Sequence, residues 1–413
     1  MKIKIRKKYL FYSLAFTSSI IAAINSGFDT IVGDFISNFW VLSASVFIIG
    51  LVISLLFALF LSIKIGDKTI GAKTIDPSFR GIRLFKKEEF FYQILAGFGN
   101  AVMTIGYFAL LAEYQDPSIV LPFSQVVILY LVIAESITDK DTPTLVEIQS
   151  SVIVTFGAIL GSISLSGTLS LYALGIVFFV INLGWMIFSF YQRKLKLMKI
   201  NNRTNDSINI RLWNVFFALL ITLLIIGLYD LFFGTKLLID SFISSYQHFI
   251  WMAVIAVGTF FSFIFYIRAL GIGKASVTQA VKATVIIFTI PITILLSYFG
   301  YTEFVTDPIL LLIKFIGITI MMLGIVSFAL TLTKAYVFIK MKPGYPIDQT
   351  MQNLWNIRGV NRVTAVAGPY DFIIKIHTRT LVKGYERILR KVHSIPGIDS
   401  CRWESVLREW EDI

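Results

Sequence analysis

Ten apolar stretches, each roughly 17–25 residues long, divide the first four-fifths of this chain, and each matches the ~30 Å hydrocarbon thickness of a bilayer. They occupy residues 9–26, 39–63, 90–111, 118–135, 148–165, 171–191, 212–232, 249–269, 276–298 and 309–332. Hydrophobic residues are 56% of the chain and charged residues 15%, against ~45–50% and ~25% in soluble domains, so the apolar excess calls for lipid as solvent. The first stretch follows five basic residues within 1–8, as a signal peptide would. It reads instead as a retained span, because it is long enough to cross and no small-residue cleavage site follows. The fourth stretch is the weakest, since it holds Pro122 and Gln125; both are tolerable in lipid where neighbouring helices satisfy the freed backbone groups.

The net charge of +12 is concentrated between these stretches. Segments 1–8, 64–89, 136–147, 192–211 and 268–275 hold 5, 7, 1, 6 and 2 basic residues, whereas the intervening connections hold one, Lys236. Because cytoplasmic loops retain Lys and Arg, the alternation predicts ten transmembrane helices in the cell membrane with both termini cytoplasmic.

The first five stretches fill 9–165 and the second five 171–332. Five is odd, so related halves of this kind must lie upside down to each other, the inverted repeat of many secondary transporters. The second half also carries Tyr266-Ile-Arg-Ala-Leu-Gly-Ile-Gly-Lys-Ala-Ser276, Pro291 and Gly317-Ile-Thr-Ile-Met-Met-Leu-Gly324. In these motifs residues 9–332 resemble the drug/metabolite transporter superfamily in its ten-span, EamA-like form. The first half departs from the pattern, with Ser150 where the first of two paired glycines belongs and Glu113 and Asp116 after Tyr107-Phe-Ala-Leu110. The resemblance therefore implies an architecture and not a substrate.

Ionisable residues inside spans are expensive and mark functional sites by default. No carboxylate falls in the middle of the ten stretches; Glu113, Glu135 and Asp230 lie near their ends. Lys282 does lie inside the ninth, about 9 Å past Ser276 at ~1.5 Å per residue, placed to reach a central cavity or to snorkel back to the surface. Asn100, Gln125, Asn182, Trp185 and Gln279 add polar groups at depth, each of which is either a substrate contact or ordinary interhelical glue. Gly157 and Gly161 form a small-xxx-small pair suited to close helix packing. A lysine without an acidic partner points to a substrate that carries an anionic group.

After Lys334 no apolar run approaches spanning length, and 13 Lys and Arg occur in the last 80 residues. Residues 1–333 thus form a transmembrane domain and 334–413 a cytoplasmic module. Strands are predicted at Ala335–Met341, Val360–Ala367, Asp371–His377 and Ile398–Leu407, with helices before Ile357 and from Thr380 to His393. The order βαββαβ is that of a ferredoxin-like α+β fold. Ile357-Arg-Gly-Val360, Val366-Ala-Gly-Pro-Tyr-Asp371 and Ile395-Pro-Gly-Ile398 followed by Val406-Leu407 make this module resemble the ligand-sensing domain of the Lrp/AsnC regulators. That resemblance implies a homo-oligomer formed through the sheet and an effector, such as an amino acid, bound near Gly368, Tyr370 and Asp371. The DNA-binding helix-turn-helix of that family is replaced by the membrane block, so no nucleic-acid partner is expected.

One cysteine and three histidines offer no disulfide, no thiolate metal site and no cofactor,. No catalytic triad or nucleotide motif is present, so an enzyme is not expected. The reading that follows is a secondary transporter of a small organic metabolite, an amino acid or related anionic compound, with a cytoplasmic effector-binding domain. The alternative is a membrane-anchored amino-acid sensor that moves nothing.

Overall fold

The computed structural model describes residues 7–114, 124–139, 145–161, 175–200, 203–301, 307–330, 333–357, 360–378 and 388–405. The chain divides into two compact units, one of residues 1–143 and 147–325 and one of residues 144–146 and 326–413.

In the first unit α1 (Lys7–Phe35) and α2 (Phe39–Ser62) are followed by a hairpin, β1 (Lys64–Ile65) and β2 (Lys68–Thr69), the short α3 (Ile70–Thr74) and then α4 (Lys87–Tyr114). A 3-10 turn, Ser124–Val126, leads into α5 (Val127–Asp139), and α6 (Leu145–Gly161) follows. A π-helical segment, Ile176–Ile181, opens α7 (Asn182–Leu197), and a second hairpin, β3 (Lys199–Ile200) and β4 (Arg203–Thr204), precedes α8 (Ser207–Phe233). Next come α9 (Leu237–Gln247), α10 (Phe249–Leu270), α11 (Ala275–Lys282), α12 (Val285–Tyr298) and α13 (Pro308–Leu330).

Eight helical segments are long and apolar enough to cross a membrane; Ser124–Thr138 and Ile148–Gly157 are apolar but shorter. These two overlap the fourth and fifth predicted stretches, whose residues 118–123 and 162–165 lie outside the described residues. The outer faces are apolar too. Leu220, Leu224, Leu228 and Leu231 are exposed at helical spacing along α8, as are Leu55, Leu56, Leu59 and Phe60 on α2. A stripe of that kind is stable only against an apolar surrounding.

Polar residues set the helix ends. Asn38 Oδ1 accepts from the Trp40 and Val41 amides at the start of α2, and Asp206 accepts from Asn209 N at the start of α8, which satisfies amides that a first turn leaves open. Gly234, with φ of 66°, takes the left-handed conformation that closes α8,. Two helix pairs approach so closely that glycine is required. A β-carbon on Gly99 of α4 would strike Gly184 and Phe188 of α7, and one on Gly157 of α6 would strike Gly317 and Met321 of α13,.

Among the larger helix contacts, α1 packs on α10 and α12, α4 on α7 and α8, α2 on α8 and α10, and α5 on α7 and α11. The ninth predicted span is not one helix. α11 ends at Lys282, and Thr284 N→Val281 O and Ile287 N→Thr284 O bonds of 3.2 and 3.0 Å tighten the join to α12 into a 3-10 turn,.

The second unit is a four-stranded antiparallel sheet of β5 (Thr333–Met341), β6 (Val360–Ala365), β7 (Phe372–Thr378) and β8 (Ile398–Ser405), in the spatial order β6-β7-β5-β8. α14 (Ile347–Trp355) joins β5 to β6, and residues 388–393 are helical before β8. Alternation places Val337 and Ile339 opposite Ile374 and Phe372, and these four pack with Leu354 and Val392 in one core,. This is the predicted βαββαβ order; residues 380–387 of its second helix lie outside the described residues.

Candidate functional site

Three departures from regular α-helix meet in the middle of the first unit: the 3-10 turn at Ser124–Val126, the π-helical turn before Asn182 and the break after Lys282. Around them lies a cavity of about 150 Å³ walled by α1, α2, α4, α7 with its π-helical segment, α8, α10, α11, the start of α12 and the turn before α5. A cavity of that size holds a small organic molecule.

Lys282, Gln279, Asn100, Gln125 and Trp185, expected from the sequence to meet, all line this cavity. Lys282 is 4% exposed. Among the described residues its Nζ has no acidic partner and lies over aromatic faces, 4.4 Å from the centroids of Trp185 and Tyr266 and 4.8 Å from that of Phe263, which stabilise a cation electrostatically. It does not snorkel. Gln279 Oε1 accepts from Trp185 Nε1 at 2.9 Å and lies 3.1 Å from the Tyr266 hydroxyl, while its Nε2 donates to Gln125 Oε1 at 3.0 Å. The two half-broken segments thus touch through their glutamines. Asn182 is different: it is buried, its Nδ2 donates to Val177 O at 2.8 Å across the π turn, and it is not on the cavity wall. Val177 O also accepts the Asn182 backbone N–H, so the side chain adds a second donor to the carbonyl that closes the π turn,.

Two charged residues on the wall were not expected there. Arg211 counts as a loop residue when α8 is started at 212, but the Asp206 cap starts the helix at Ser207 and turns Arg211 inward. Its guanidinium lies 4.4 Å from the Phe263 centroid, Nη1 donates to Asn214 Oδ1 at 3.3 Å, and Nε is buried without a partner among the described residues. Asp29 overturns the expectation that no carboxylate lies within a span, because α1 continues to Phe35 and does not stop near Asn25. The polar run Asn25–Ser26 faces protein rather than water, and Asn25 Nδ2 donates to Thr259 Oγ1 at 3.0 Å. Asp29 is 7% exposed; Oδ2 accepts from the Tyr107 hydroxyl at 3.3 Å and Oδ1 has no partner among the described residues.

A second set of charges sits in the connections that carry most of the basic residues. Lys196 Nζ donates to Asp76 Oδ2 at 2.6 Å and to Asn205 O at 2.7 Å, and Ser207 N and Oγ donate to the same carboxylate oxygen. Burial alone would push the Asp76 carboxyl up, but the Lys196 ammonium and the Ser207 donors hold it down at about 2,. Arg83 grips Glu89 with both terminal nitrogens, at 2.6 and 2.8 Å, and Asn205 bonds to both partners,. Glu135 accepts from Ala275 N and Ser276 Oγ at the start of α11 and lies 3.5 Å from Arg193 Nη1, a carboxylate at the positive end of a helix.

In the second unit, the three residues expected near an effector form the β6–β7 turn. Asp371 Oδ2 accepts from Met341 N at 2.7 Å and its amide donates to Ile339 O, so this side chain fastens the turn to the end of β5. The Tyr370 ring lies 5.3 Å from that of Phe338, and Gly368 is exposed in the turn.

The family model of the Lrp/AsnC ligand binding domain matches residues 334–412, so the chain carries such a domain at its C-terminal end. No curated protein matches the chain. A solved crystal structure, described only as that of a protein, is 13% identical with a TM-score of 0.46, covering 77% of this chain and 98% of its own.

Proposed function

We propose that the helical unit is a secondary carrier in the cell membrane for a small organic metabolite bearing an anionic group, and that the C-terminal domain binds a small-molecule effector that regulates it. The observation that carries this reading is the pair Lys282 and Arg211, two buried cations on one cavity wall with no carboxylate bonded to either among the described residues. Burying unpaired charge costs several kcal/mol. A bound anion supplies the missing counter-charge.

The packing supports two inverted five-helix halves of a ten-span drug/metabolite-type carrier. Exchanging α1, α2, α4 and α5 with α7, α8, α10 and α11–α12 turns the α1–α10 contact into α7–α4, α4–α8 into α10–α2 and α1–α12 into α7–α5, each of which is present. The same exchange carries the broken ninth segment onto the short fourth, the arrangement from which many transporters build their binding sites. The Lrp/AsnC match supports effector binding and self-association of the C-terminal domain. It equally favours a second reading, a membrane-anchored sensor that moves nothing. In both readings the chain is not an enzyme and its ends are cytoplasmic.

Full-length protein in proteoliposomes separates them. The carrier accumulates at least one labelled small carboxylate or amino acid, and Lys282→Gln lowers that uptake at least tenfold at equal protein content. Absence of uptake across the panel, with effector still bound, would favour the sensor.

A further inference from the structure

The cavity has a second charged end. α1 and α10 run antiparallel with a register fixed by Ser18 against Ser262, Asn25 against Thr259 and Phe35 against His248. That register puts Asp29 level with about Ile255, which shares the cavity wall with it. Phe263, whose ring lies against both Lys282 and Arg211, is eight residues further along α10. At ~1.5 Å per residue the carboxylate end and the cation end are therefore roughly 12 Å apart along one cavity. Asp29 is buried and held by one phenol, with Oδ1 unpartnered among the described residues. Among the described residues no Lys or Arg is bonded to it, and the same cavity is lined by the polar side chains of Asn100, Thr104 and Thr259.

We infer that the cargo is dipolar and extended: its anionic group lies against Lys282 and Arg211 while an ammonium group at its other end is held by Asp29 and Tyr107. This deepens the carrier reading and rests on it. Two charge-assisted hydrogen bonds of ~2.8 Å take up part of the roughly 12 Å, which leaves about 6 Å between the cargo's own charged atoms. At ~1.2 Å per bond of extended chain that is about five bonds from the ammonium nitrogen to a carboxylate oxygen. An ω-amino acid of four or five carbons fits, and so does a basic amino acid of five carbons that engages through its side-chain ammonium. A zwitterion whose charges sit on one carbon is too short to reach both ends.

The probes are 5-aminopentanoate, pentanoate, pentylamine and glycine, with the full-length protein in proteoliposomes for uptake and in detergent for calorimetric binding. The expected result is that 5-aminopentanoate is bound and accumulated at least tenfold better than the other three. Asp29→Asn and Tyr107→Phe should each narrow its advantage over pentanoate, and Asp29→Glu should restore part of it. Two variants at the same end keep the test valid if one fails to fold. Equal handling of pentanoate and 5-aminopentanoate, unchanged by Asp29→Asn, would overturn the inference and leave the carrier reading intact. An Asp29→Asn effect confined to proton movement, read by an entrapped pH dye, would overturn it in favour of a proton at Asp29. Binding without accumulation would sustain the dipolar site and remove the carrier, whereas neither binding nor uptake of 5-aminopentanoate overturns the inference outright.

Discussion

The charges at the cavity and the charges in the basic connections are of the same chemical kinds, yet they are treated in opposite ways. Around Asp76, Arg83, Glu89 and Lys196, ammonium and guanidinium groups meet carboxylates at 2.6–2.8 Å and nearby amides and hydroxyls add further donors. Around Lys282, Arg211 and Asp29, cations meet aromatic rings and amides, and the acid meets one phenol. Paired charge of the first sort holds the connections β1–α4 and α7–α8 together, and removing one partner is what destabilises. Unpaired charge of the second sort lowers stability while the cavity is empty, and in the proposed carrier it gains its partner with the cargo. A protein retains such a defect where binding depends on it.

That contrast can be broken by experiment. The largest effect is expected from Lys282→Met, which should abolish uptake while leaving the unfolding midpoint unchanged or raised, because it removes an uncompensated buried charge; a lowered midpoint would make Lys282 structural. Lys196→Met is the mirror case. It strands Asp76 without its ammonium and should cost about 3 kcal/mol in denaturant unfolding, with cargo affinity unchanged in the fraction that folds.

The next effect is a pH dependence. The Asp76 carboxyl is depressed from 3.8 to about 2 in the folded chain, so its contribution is present above pH ~4 and is lost as the pH falls through ~2. A shift of that size corresponds to about 2 kcal/mol. Unfolding followed by tryptophan fluorescence between pH 5 and 2 should show that slope in the wild type and lose it in Lys196→Met. The smallest effect belongs to Asp371→Asn, which weakens the bond to Met341 N and should lower the stability of the C-terminal domain by about 1 kcal/mol. A loss of effector affinity far beyond that would return Asp371 to a binding role.

Much of this was legible in the sequence because lipid makes polar residues conspicuous. Asn100, Gln125, Trp185, Gln279 and Lys282 stand out in apolar runs, and the fold brings them to one wall. Asn182 stood out for the same reason but lies off the cavity wall and bonds to Val177 O across the π turn; hydropathy does not distinguish a polar group that faces a cavity from one that bonds to its own backbone. Arg211 and Asp29 were hidden by the opposite error, since a helix read from hydropathy stops where its polar residues begin. Helix ends are set by caps, and the Asp206–Asn209 pair is the signal that places Arg211 inside α8. In α1 the Asn25 amide finds its partner at Thr259, so this polar residue does not close the helix. The break after Lys282 had no warning in the sequence: Pro291 is the nearest helix breaker, and it sits inside α12. The alternating strands of the C-terminal domain were easier, because a period of two with one buried face fixes register directly.

A carrier opens its cavity to each side of the membrane in turn. Cys401 is the sole cysteine, so a Cys401→Ser background carrying Thr104→Cys, on the cavity wall, gives a single reporter. A membrane-impermeant maleimide should label it from either face of sealed proteoliposomes, and 5-aminopentanoate should protect it. Labelling from one face alone, whatever is added, would contradict alternating access and with it the carrier.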